Sequence, residues 1–227
     1  MKIEKTKEEK HYSYIMSRLL VKRGITMKKN TVKALVTLCK SKFLSFYEAR
    51  YENKEGKEKK WLMASRKTEE VLYRQFFEGQ EEQADAVLIA AIHEESKKLV
   101  LIKQFRIPLN DYIYELPAGL IDEGEDYKEA ACRELKEETG LELVNINEYR
   151  SVEKVYLSAG MTDESVGMVY GTCKGALSSR YMEADEDIIP MLVSKEEAKN
   201  ILQSGKKLDI KAYMVLQAYV QSVLEIE

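Results

Sequence analysis

Between Gly119 and Leu143 the chain reads GLIDEGEDYKEAACRELKEETGLEL, a stretch dense in carboxylates through which apolar residues recur. On a helix starting near Asp126, residues four apart share a face. Glu134 and Glu138 then stand side by side, Glu137 adjoins them, and Glu125 sits at the helix mouth. Like charges at this spacing destabilise a helix by roughly 0.2–0.5 kcal/mol per pair. Arg133 can pair with Glu137, and the positive end of the helix favours Glu125, but neither relieves Glu134 facing Glu138. A divalent cation would. An all-oxygen cluster suits Mg²⁺, with Mn²⁺ as the alternative, rather than zinc. The competing reading is a solvated acidic helix face.

The elements around this stretch must position it. Tyr127, Ala131 and Leu135, with Ala130 beside them, form an apolar row that would face a core, and Gly140 suits the left-handed position that ends a helix. Upstream, YIYELPAG reads as one strand closing on Pro117 and Gly119. AVLIAAI and LVLIKQFR, joined by the short loop HEESKK, predict an antiparallel pair. Downstream, YRSVEKVYL, ESVGMVYGTC and IIPMLV predict strands, SKEEAKNILQSG a helix opened by a Ser194/Glu197 capping box, and the segment after Asp209 a last helix. Near the N-terminus, TVKALVTL, KFLSFYEARY and KKWLMASR alternate with period two and predict a small antiparallel sheet over about residues 30–66. A helix-prone bridge, TEEVLYRQFFEGQEEQ, follows it. YSYIMSRLLVKRG predicts a short amphipathic helix ending at Gly24. The order is α+β (mixed α/β), divided into an N-terminal extension over 1–29, a small antiparallel β-domain with its bridge over 30–83, and a main domain over 84–227.

The chain has 227 residues, a formal charge of −3 and interspersed acids and bases. That composition suits a globular core and offers no field for nucleic acid. No apolar run approaches the ~20 residues of a membrane span, and the N-terminus lacks the apolar core of a signal peptide, so no membrane association and a cytoplasmic location are expected. Cys39, Cys132 and Cys173 are isolated, without a CxxC pair, and are expected to be small buried hydrophobes.

The spacing of Gly119, Glu125, Arg133, Glu134, Leu135, Glu137, Glu138, Gly140 and Leu141 resembles the Nudix box at every fixed position. Seven fixed Gly, Arg and Glu positions at about 10% each would coincide on the order of 10⁻⁷ per window. The resemblance implies the Nudix fold, a mixed sheet between helices, and hydrolysis of a diphosphate linked to another moiety. It implies Mg²⁺ on Glu134 and Glu138, with Glu125 or Glu137 assisting and the Ala118 carbonyl as a further ligand.

Over about residues 35–220 the chain is most similar to the ADP-ribose and nucleotide-sugar pyrophosphatase branch of that family. That likeness implies Arg106 of IKQFR as a diphosphate-binding guanidinium, and adds Glu115 of YIYELPAG to the substrate-binding set. It implies a homodimer through the N-terminal sheet, with Trp61 stacking a base and Arg66 contacting the nucleotide-sugar substrate, against plain packing for Trp61. The acidic loop RYMEADEDII resembles the segment that delivers a general base, which points to Glu183, with Glu186, Asp185 and Glu164 as rivals. A base outside the metal cluster makes physical sense, because metal-bound carboxylates lose basicity. The helix pair over SKEEAKNILQSGKKLDIKAYMVLQAYV resembles the branch's C-terminal end. One departure stands out. The branch usually carries Ser-Pro-Gly after the box, and this chain has Ala159 at the proline position, in LSAGMTDE. ADP-ribose stays the first expectation, with ADP-glucose, UDP-glucose and GDP-mannose beside it. A nucleoside-triphosphate hydrolase or a non-catalytic nucleotide-sugar sensor are the rival readings.

Overall fold

The computed structural model describes residues 29–182 and 187–221. The expected helix ending at Gly24 lies outside the described residues, as do Glu183, Asp185 and Glu186. The described chain falls into two compact units that divide between Gln80 and Glu81.

The first unit is an antiparallel sheet in the order β1 (Thr31–Cys39), β2 (Ser45–Glu52), β3 (Glu58–Ser65). Strand alternation puts Ser45, Tyr47 and Ala49 on a buried face and Phe46, Arg50 and Glu52 in the open. Tyr47, paired with Met63 across the strands, forms a small core with Leu35 and Leu72. Leu72 comes from α1 (Glu69–Tyr73), a short helix capped by the Thr68 side chain that runs into a π-helical turn ending at Gly79. The Tyr47 hydroxyl donates to the Lys67 carbonyl at 2.9 Å, so the buried ring keeps its polar end satisfied. Trp61 lies opposite Ala49 on β3 and is 52% exposed, so packing within this sheet does not account for it.

The second unit is built on a mixed sheet. Its strands are β4 (Ala86–His93), β5 (Leu99–Arg106), β6 (Asp111–Glu115), β7 (Ala118–Leu120), β8 (Glu142–Ile146), β9 (Val152–Tyr156), β10 (Ser165–Lys174) and β11 (Ile188–Val193). Among the described residues the order is β11-β5-β4-β10-β8, with β6 on β5, β7 on β4 and β9 on β10. β4 and β10 run parallel, and the other pairs are antiparallel. Helix α2 (Tyr127–Thr139) covers one face, where Ala130, Ala131 and Leu135 pack against Val87, Ile89, Ala91 and Val169. Helices α3 (Lys195–Gln203) and α4 (Ile210–Val220) cover the other, with Ala198, Ala212, Val215 and Leu216 against Leu88, Ala90 and Leu101. Coverage on both sides explains why AVLIAAI is apolar at every position rather than alternating.

Three expectations need correction. YIYELPAG is two strands, not one: β6 pairs with β5 up to Glu115, and after Leu116 and Pro117 the chain steps across to pair with β4. Pro117 has no N–H for a ladder, yet its carbonyl accepts from Ile89 at 2.9 Å and seats the crossing. Strand β8, directly after the helix, was not expected, because ELVNI is short and its alternation is weak. Of the cysteines only Cys173 is buried; Cys39 and Cys132 are exposed. Burial pushes the Cys173 thiol up to about 12, which leaves it protonated and inert near neutral pH. No helix among the described residues is long and apolar enough to cross a membrane.

Candidate active site

The acidic residues stand on α2, and the helix is fixed at both ends. Asp126 caps it, accepting from Lys128 and Glu129 N–H, and the Glu129 side chain returns the bond to Asp126 N–H in a capping box. Gly140 ends it at φ 75°, where a Cβ would lie 2.7 Å from that of Ser178. The buried apolar row sets the rotation of the helix, and Glu134 and Glu138 are carried inward with it, 9% and 2% exposed.

Arg133 organises the cluster. Its Nε and Nη2 donate to the two oxygens of Glu125 at 3.0 and 2.8 Å, its Nη1 to Glu134 at 2.7 Å and to Glu137 at 3.0 Å, and Nη2 also to the Leu120 carbonyl at 2.9 Å. Glu138 accepts from the Ala118 N–H at 3.0 Å. The expectation that only a cation relieves Glu134 beside Glu138 is therefore corrected. One guanidinium serves Glu125, Glu134 and Glu137 together, and a backbone N–H serves Glu138. The Arg133 guanidinium holds the Glu125 carboxyl below its usual range, and Glu125 foremost, with Glu134 and Glu137, drives the Arg133 pKa up.

The donor set can still take a hard cation. Gly119 carries no side chain where one would collide with the Glu134 carboxyl carbon at 1.9 Å, so β7 leaves that carboxylate its space. Among the described residues no three acidic, His or Cys groups converge as a complete cage. Mg²⁺ commonly uses one or two carboxylates and keeps several waters, which is what two buried carboxylates beside the Ala118 backbone can offer. Glu125 accepts from Arg133 on both oxygens and from the Asp122 N–H on one of them, which leaves a lone pair on the other oxygen for a cation.

Next to this cluster, Arg106 at the end of β5 and Glu115 at the end of β6 form a two-bond pair, Nε to Oε1 and Nη2 to Oε2, both at 2.8 Å. Glu115 raises the Arg106 pKa first, and Glu138 and Asp209 add to it, so Arg106 belongs to the same electrostatic neighbourhood as the helix carboxylates. Glu164 lies just before β10, partly buried, with its carbonyl accepting from Leu157 N–H and its N–H bonded to the Thr162 hydroxyl. Trp61 and Arg66 belong to the first unit, on β3 and just past it; both are exposed.

Sequence reasoning missed two anchors beside the acidic loop. The Tyr112 hydroxyl donates to Asp187 at 2.7 Å, and the Asp187 carbonyl accepts from Phe105 N–H at 3.0 Å, tying the start of β11 to β5 and β6. Ser178 N–H donates to the Thr139 carbonyl at the end of α2. No spacing signal could have found either, since each joins segments far apart in the chain.

The model of the family described as NUDIX domain matches residues 82–210. The chain belongs to the Nudix family. A relative from Bacillus subtilis (strain 168), ADP-ribose pyrophosphatase, is 34% identical over 137 residues, 60% of this chain and 71% of that protein. The ADP-sugar pyrophosphatase of Mus musculus is 33% identical over 112 residues, 49% of this chain and 48% of that protein. A solved structure of an ADP compounds hydrolase superposes with a TM-score of 0.62 at 19% identity, covering 88% of this chain and 98% of the other, and it shows the shared fold. This Nudix hydrolase therefore has its box on α2 and the turn before it, and is similar to the ADP-ribose and ADP-sugar pyrophosphatases.

Proposed function

We propose that the protein hydrolyses, with Mg²⁺, the diphosphate of ADP-ribose or a related nucleotide sugar, giving a nucleoside monophosphate and a sugar phosphate. The observation that carries this reading is the buried Glu134 and Glu138 pair, held against a backbone that has no side chain at Gly119. The activities of the relatives supply the substrate class. Glu134, Glu138 and the Ala118 carbonyl would hold the cation, with Glu125 in reserve. Bound there, Mg²⁺ would neutralise diphosphate charge and make water a better nucleophile.

The chain's own residues do the rest. Arg106 binds a diphosphate oxygen. A carboxylate takes the proton of the attacking water, drawn from Glu183, Glu137 and Glu164; the likeness of the acidic loop puts Glu183 first. Trp61 stacks the base and Arg66 contacts the substrate, in a homodimer formed through the N-terminal sheet. Support for a partner on that sheet comes from Phe46 and Leu62, which share the face opposite Tyr47 and are 40% and 52% exposed.

The test is a Mg²⁺-dependent release assay that offers ADP-ribose, ADP-glucose, UDP-glucose, GDP-mannose and a nucleoside triphosphate side by side, reading the monophosphate by chromatography. AMP released fastest from ADP-ribose is the expected result. Turnover of another nucleotide sugar alone would keep the chemistry and change the substrate. No turnover of any would remove the proposal in favour of a sensor.

A further inference from the structure

Resting on that reading of the diphosphate site, we propose that Glu115 is a positioning residue, which grips Arg106 by its Nε and Nη2 edge and leaves the Nη1 end to hold one diphosphate oxygen. Glu115 itself does not touch the diphosphate.

The strand register sets up the pair. Glu115 lies opposite Ile102, and Arg106 opposite Asp111, so the two side chains meet across four residues of β5. At about 3.3 Å per residue that is roughly 13 Å of strand, and both must extend toward each other to close it. The result is a two-bond contact, 2.8 Å on each side. Such a contact fixes the plane of a guanidinium as well as its place. Burial differs sharply between the partners: the Glu115 side chain is 11% exposed and that of Arg106 43%. Among the described residues Nη1 has no hydrogen-bond partner, so the open end of the pair is the end with N–H groups to give.

Charge excludes a phosphate contact for Glu115. An ionised carboxylate only accepts hydrogen bonds, so Glu115 cannot bond an anionic phosphate oxygen and would repel it. Without Glu115, the guanidinium would be free to turn toward Glu138 or Asp209, both of which act on it electrostatically. The carboxylate of Glu115 keeps the cation from collapsing onto the metal-binding face.

A double-mutant cycle with Glu115→Gln and Arg106→Ala tests this, using whichever nucleotide sugar the wild type turns over in the presence of Mg²⁺. Glu115→Gln should raise KM about tenfold and change kcat little, since a hydrogen bond to a charged group has been weakened. In the Arg106→Ala background the same substitution should change KM less than about twofold, because its effect passes through Arg106. Glu115→Asp, which keeps the charge but falls short of Arg106, should behave like the glutamine variant. Thermal melts of all variants identify any that fail to fold, and the aspartate variant then completes the cycle. An equal KM penalty in both backgrounds, or none in the wild type, overturns the assignment while leaving the hydrolase reading intact. A wild type that turns over none of the nucleotide sugars overturns both.

Discussion

A single guanidinium holds together a cluster that the positions of its acids alone would drive apart. Arg133 contacts Glu125, Glu134 and Glu137, and its side chain is 29% exposed, between the surface and buried regimes of ion pairing. Removing it by Arg133→Ala should cost about 2 kcal/mol at pH 7, between the ~0–1 of an exposed pair and the ~3–5 of a buried one. The sign with pH follows from Glu125, whose carboxyl is held below its usual range. Its contribution is full above the unfolded-state value, ~4.3, and is lost as pH falls through the lowered folded value. The gap in melting temperature between wild type and Arg133→Ala should therefore be widest at neutral pH and close as pH drops below about 4. A gap that stays constant with pH would mean that packing of the arginine stem, not its charge, was lost.

At the scale of the element, α2 works as a ruler only while both ends are pinned. The capping box at Asp126 and Glu129 sets where the first turn begins, and Gly140 sets where the last one stops. Gly140→Ala would place a methyl 2.7 Å from Ser178 Cβ and 2.9 Å from Ser178 N, in a backbone conformation that L side chains disfavour. Strain of that kind costs more than about 1 kcal/mol. We expect a clear fall in the urea midpoint for Gly140→Ala, and for Asp126→Ala a loss of about 0.5–2 kcal/mol with the cap. Equal stability of Gly140→Ala and wild type would mean that the 176–178 segment gives way, and that the helix end is not clamped. The step of the chain at Pro117 serves the same ruler, because it brings the Ala118 N–H to Glu138.

For the whole molecule, the mixed sheet of the second unit carries the box helix on one face and two helices on the other, while the first unit offers an open sheet with exposed apolar residues. A homodimer through that sheet predicts a mass of two chains by light scattering at micromolar concentration; a single-chain mass would remove the dimer. The helix around Glu134 and Glu138, its stop at Gly140, the capping box at Ser194 and most strands were legible in the sequence, because each rests on local periodicity or on a cap within a few residues. So was the Nudix box, whose fixed spacing is a linear pattern. Strand β8 and the break at Pro117 were not, since a weakly alternating five-residue strand or a change of partner depends on which strand edge is near. The sequence by itself determined the family, the acidic helix and its apolar face. Only the tertiary structure decided that Arg133 binds Glu134 as well as Glu137, that Ala118 meets Glu138, and that Arg106 is already held by Glu115, because hydrogen bonds between strands and across turns are set by packing rather than by spacing along the chain.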